Sequence, residues 1–113
     1  MVWYKYLYAD ERIIRKKEKI KWKVCHNAGQ INLYLVTLSR GPGKLLEIVS
    51  TLTLMQRAYP KEGLFVVGLA RGYEQAVCLA MQIILEVYQE TGGFDVKSDL
   101  LNKHRAGKAQ VGL

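Results

Sequence analysis

The segment Ile31–Leu38, INLYLVTL, carries apolar side chains on both faces of a strand. Ile31, Leu33 and Leu35 fall on one side; Tyr34, Val36 and Leu38 fall on the other. Such a strand needs cover above and below, as a parallel sheet flanked by helices provides. Leu64–Ala70, LFVVGLA, is a second run of this kind, short and uncharged. Gly68 inside it marks close approach by another backbone or side chain.

The remaining segments are assigned around these two strands. Val2–Tyr8 is rich in aromatics and alternates loosely, which predicts a strand with Tyr4, Tyr6 and Tyr8 on one face, in a sheet or interface role. Asp10 is placed to cap a helix, and Glu11 beside it suits the positive helix end. Lys44–Arg57 predicts a helix, with Leu45, Ile48, Val49, Leu52 and Met55 on one side and Ser50, Thr51 and Thr53 weakening its middle. Tyr73–Glu90 is the clearest helix in the chain. Its polar stripe is Gln75, Gln82, Glu86 and Gln89, and the rest is apolar over an arc wider than one sheet face needs. That width points to a second neighbour, another subunit. Gly92 and Gly93 stop the helix, Phe94–Leu101 reads as a short strand or docking turn, and residues 102–113 read as a loose basic tail.

Residues 11–27 admit two readings. Glu, Arg and Lys favour helix, and Ile13, Ile20 and Val24 share a helical face. Yet Lys19–Val24 alternates as a half-buried strand does, which would make residues 27–30 a hairpin turn. Alternation of the neighbouring elements favours the helix. The expected fold is therefore a small α/β domain over residues 1–101. It has a three- to four-stranded, mostly parallel sheet, about three helices and the order β-α-β-α-β-α. With a hairpin over 11–27 the class becomes α+β.

Charge is distributed unevenly. The 113 residues have a formal net charge of +7, yet residues 24–101 carry six basic and seven acidic residues. The excess lies at the two ends, and its densest stretch is Arg12–Lys23, RIIRKKEKIKWK, with seven basic residues and one acid. Arg12, Arg15, Lys16, Lys17, Lys19, Lys21 and Lys23, interleaved with Trp22, form a candidate surface for a phosphate backbone or an acidic protein. The competing reading is a solvated face that keeps the protein soluble.

With 50% hydrophobic and 24% charged residues the composition is that of a globular domain, which excludes a wholly disordered chain. Two cysteines, Cys25 and Cys78, without a Cys-x-x-Cys, signal neither a disulfide scaffold nor a zinc site, and read as reduced, partly buried thiols. Neither a signal peptide nor a membrane span is legible, so the expected location is the cytoplasm.

In a parallel sheet the loops at the carboxyl ends of the strands converge. Ser39, Arg40, Gly41, Gly43 and Lys44 would then meet Arg71, Gly72 and Tyr73, with Asp10 and Glu11 on a third loop. Helix-start amides and flanking cations suit an anion or a phosphorylated metabolite. SRGPGKL is no Walker motif, because Leu45 stands where a magnesium-binding Ser or Thr would be. The two-ordinary-turns reading stands beside it. His26 and His104 lack partners at ligand spacing, so no metal and no cofactor are expected, and no nucleophile–base set can be assembled.

HNAGQINLYLVTL, LFVVGLARGYEQA and EVYQETGGFDV resemble phrases in a family of small bacterial proteins of unknown function. The resemblance implies a cytoplasmic bacterial protein and supplies no activity and no site residues. The functional expectation is thus a non-enzymatic binding or assembly module, using its basic surface against nucleic acid or an acidic protein and an apolar face for a homodimer. The alternative is a small-ligand module that takes an anionic metabolite at the strand-end loops.

Overall fold

A computed structural model of the chain describes residues 1–26, 28, 30–41 and 45–111, with side chains described through Ala106. Its elements are β1 (Val2–Tyr8), α1 (Glu11–Arg15), α2 (Lys17–Cys25), β2 (Leu33–Leu38), β3 (Leu46–Ser50), α3 (Thr51–Leu54), β4 (Phe65–Arg71), α4 (Tyr73–Thr91) and α5 (Val96–Val111). The four strands form one mixed sheet in the order β1-β4-β2-β3. β1 and β4 run parallel, whereas β2 is antiparallel to both β4 and β3.

Helices cover both faces, as the two-sided strands require. Val36, Leu38, Val67 and Ala70 meet Ala76, Ala80, Ile83 and Val87 of α4 and Val96 and Leu100 of α5. On the other face Leu33, Leu35, Val66 and Leu69 meet Ile13, Ile20 and Val24 of α1–α2 and Leu54 of α3. Gly68 does what its place in the strand predicts: a Cβ there would lie 2.8 Å from Leu79 Cδ2 and 3.1 Å from the Tyr8 carbonyl oxygen.

Residues 11–25 are helical, broken at Lys16, and Asp10 caps α1 by accepting from Ile13 N–H at 2.9 Å. The basic stretch is therefore one helical layer, and the α+β alternative that a hairpin there would have produced is set aside.

The expectation of a mostly parallel sheet is corrected by residues 44–57. The pattern Leu45, Ile48, Val49, Leu52, Met55 fits a helix, but Leu46–Ser50 forms β3 and only Thr51–Leu54 is helical. Consecutive β-branched Ile48 and Val49 pack well on a pleated surface, pairing across to Val36 and Leu35. The chain thus returns as a hairpin from β2 instead of crossing over. Phe94–Leu101 is not a strand: α5 begins at Val96 and runs to Val111, through most of the segment expected as a loose tail.

Candidate functional site

The α1–α2 layer turns Ile13, Ile20 and Val24 into the core and its cations outward. Arg12, Arg15, Lys16 and Lys19 are exposed, and Lys17, Lys21 and Lys23 are half-buried along their stems. Arg15 pairs with Glu11 at 2.6 Å, and Lys21 with Glu18 at 3.7 Å while lying 5.6 Å from the Trp3 ring centroid. Among the described residues no acid pairs with Arg12, Lys16, Lys17, Lys19 or Lys23. At the end of the layer the Trp22 indole, 61% exposed, stacks on the His26 ring with centroids 4.1 Å apart. His26 donates from Nδ1 to the Trp22 carbonyl at 2.7 Å, which fixes the pair one helical turn apart. The layer therefore offers several uncompensated cations beside a flat aromatic surface.

The strand-end loops are only partly brought together. Because β2 opposes β4, the end of β2 lies at the other end of the sheet from Arg71, which pairs with Leu33 at the start of β2. Arg40 instead donates to the carbonyls of Pro60 at 2.8 Å and Glu62 at 3.2 Å and stacks on Tyr59, tying down the loop before β4. Ser39 is buried and its hydroxyl bonds within its own loop to Gly41. Gly43 and Lys44 lie outside the described residues. Gly72 holds φ +89 and donates to the Asn32 carbonyl at 2.7 Å, and Tyr73 packs edge-on against Tyr34. Thus Ser39–Gly41 and Arg71–Gly72 do not converge, and of the two loops only Arg40 and Tyr73 border a common groove, along β3.

What does converge is the first loop with the third, at the carboxyl ends of the parallel pair β1 and β4. There a cleft of about 460 Å³ is lined by Tyr8, Asp10, Arg71, Gln75, Cys78 and Gln82, with apolar walls. Among the described residues Arg71 is the one cation that lines it and Asp10 the one carboxylate. Burial pushes the neighbouring Tyr8 phenol above its ordinary range, and the hydrogen bond to Glu86 and that carboxylate's charge add to the shift. Cys78 is exposed on α4, not in the core, and Cys25 is exposed as well, so the expectation of partly buried thiols is corrected.

Below the cleft, Lys103 of α5 bonds Glu90 of α4 and pairs with Asp99 at 3.0 Å. Burial alone would lower the Lys103 ammonium, but hydrogen bonds to Glu90 and Asp99 outweigh it and hold the group above its ordinary range. His104 accepts from Lys5 N–H at 3.0 Å, closing the outer edge of β1 at that point. The opposite edge, β3, borders an open groove of about 710 Å³ lined also by Arg40, Tyr59 and Tyr73. Sequence reasoning missed this α4–α5 network. The stripe Val96, Leu100, His104 was its only signal, and it is narrow and embedded in basic sequence.

No group of three His, Cys, Asp or Glu among the described residues is placed to hold a metal ion, and no described helix is long and apolar enough to cross a membrane. The chain matches no family model, no curated protein and no solved structure.

Proposed function

We propose that this protein is a polyanion-binding module that holds nucleic acid on the α1–α2 layer. The observation that carries the reading is the set of five cations on that layer without an acidic partner among the described residues, beside the exposed Trp22–His26 stack. Lys and Arg side chains that neutralise phosphates release condensed counterions, and that release supplies sequence-independent affinity. An exposed indole offers a face on which an unpaired base can stack. Together they favour a single strand over a duplex.

The test is fluorescence anisotropy of a labelled mixed-sequence single strand, titrated at low and near-physiological salt. Binding persists at the higher salt, and log K falls linearly with log salt. Changing Lys16, Lys17 and Lys19 to Gln lowers the slope by about 2, at roughly 0.7 for each phosphate of a single strand that a lysine no longer neutralises. Absence of binding at near-physiological salt overturns the proposal and leaves the charge to solubility. Capture of an acidic protein with no nucleic-acid affinity moves the layer to the other class of partner.

The cleft beside Arg71 favours a second reading, a small anionic ligand at the ends of the parallel pair. It is the weaker one, because Arg40 is tied to the loop before β4 and the cleft's single described cation, Arg71, shares the lining with the carboxylate of Asp10. Thermal stabilisation by phosphorylated metabolites, absent in Arg71→Gln, would support it.

A further inference from the structure

The inner face of α4 is set by Ala76, Ala80, Ile83 and Val87, all buried. On the outer face, roughly 150° away at 100° per residue, stand Cys78, Met81, Leu85 and Tyr88. Their spacing of three, four and three residues is that of a helix–helix seam. Met81, Leu85 and Tyr88 are 57%, 54% and 45% exposed, and Phe94 stacks on Tyr88 to extend the strip, with centroids 4.9 Å apart. Among the described residues neither core cluster includes these side chains. We propose that this strip is a two-fold seam on which a second copy of the chain docks, α4 against α4 of its partner, antiparallel.

Three observations choose that occupant. First, the strip is self-complementary. Position 83 is midway between 81 and 85 and also between 78 and 88, so a two-fold axis at that level sets Met81 against Leu85 and Cys78 against Tyr88 of the other copy. Second, copies of a +7 chain repel wherever their cations meet, and α4 contains no Lys or Arg. The basic layer lies on the opposite face of the sheet, so this contact keeps the two layers apart. The residues flanking the strip, Val77, Gln82, Ile84 and Gln89, are uncharged, and antiparallel packing separates each Glu74, Glu86 and Glu90 from its own counterpart while pairing opposite helix-dipole ends. Third, the size fits. Half-exposed side chains of this kind amount to roughly 400 Å² of apolar area, and with the polar rim approach the ~800 Å² per partner of a stable interface.

The two native thiols provide the experiment. Cys78 lies in the strip, and Cys25 is exposed at the end of α2, on the other side of the sheet. Sedimentation velocity of the full chain, from about 1 to 100 µM, is run beside N-ethylmaleimide labelling read per cysteine by mass spectrometry. The expected result is a monomer–dimer transition in which Cys78 labelling slows at least about fivefold while Cys25 labelling is unchanged. Met81→Glu/Leu85→Glu sediments as monomer at every concentration and labels Cys78 at the dilute rate. A native chain that stays monomeric at the top concentration overturns the proposal. So does a dimer with freely reactive Cys78, or one that survives the double substitution. Should the double variant misfold, thiol protection in the native chain still decides.

Discussion

The Trp22 indole lies over the His26 imidazole, 19° from parallel, with His26 held by its bond to the Trp22 carbonyl. An exposed ring held this way loses little freedom when a base stacks on it. Trp22→Ala is expected to weaken single-strand binding by about 1–3 kcal/mol, the range for one base–aromatic stack. The salt slope stays as it was, since no cation is removed. Because Trp22 packs outside the core, unfolding stability changes by less than about 0.5 kcal/mol. Anisotropy titration and urea denaturation of the same variant separate the two effects.

Gly68 bears on the fold itself. A methyl group there meets Leu79 Cδ2 and, behind it, the Tyr8 carbonyl, which is backbone and cannot turn aside. Gly68→Ala is expected to destabilise the chain by about 1–3 kcal/mol through overpacking between β4, α4 and β1. Pairing it with Leu79→Ala removes the closer clash and recovers part of the loss, a coupling that a double-mutant cycle in urea measures.

Asp10 holds the start of the basic layer. Its carboxylate accepts from Ile13 N–H, and α1 has only five residues to keep it helical. Asp10→Ala should cost about 1 kcal/mol in denaturant unfolding, with Asp10→Asn restoring most of it.

These elements differ in how far the residues alone disclosed them. β2, β4 and α4 were legible because each is a strongly apolar segment with a clear stop, Gly92 at φ +74 in the last case. The Asp10 cap and the Gly68 approach were legible because few residue types serve there. Residues 46–50 were not, since Ile48, Val49 and Leu52 satisfy helical and extended spacing alike, and only pairing with Val36 and Leu35 decides between them. That one hairpin reverses β2 relative to the expected parallel sheet, so it also moved Ser39 and Arg40 away from Arg71. The helical placement of Arg12–Lys23 was legible because it depends on local helix formation and not on strand direction.

Lys103 is the one cation bonded to both Glu90 and Asp99 among the described residues. Lys103→Ala leaves two carboxylates facing each other between α4 and α5. Glu90 is partly solvated, so the expected loss is modest, about 1–2 kcal/mol at low salt. Lys103→Ala with Glu90→Gln should lose less than Lys103→Ala alone. Hydrogen exchange of α5 reports whether the helix loosens first, as an element docked late in the chain would.

Tyr8 gives the fold an alkaline limit. Its phenol is half-buried and donates to Glu86, so the neutral form is favoured in the folded chain above the ordinary value of 10.0. Tyr4 is shifted the same way, chiefly by burial. The unfolded chain releases these protons first as pH rises. Stability from the shift is therefore intact below 10.0 and falls as pH climbs from there toward the raised native value. Tyr8→Phe loses one hydrogen bond at neutral pH, about 1 kcal/mol, but its stability falls less steeply on the alkaline side than that of the native chain. Urea denaturation at pH steps from about 7 to 11 measures both. Equal alkaline slopes in the two proteins would mean that Tyr8 ionises as freely folded as unfolded.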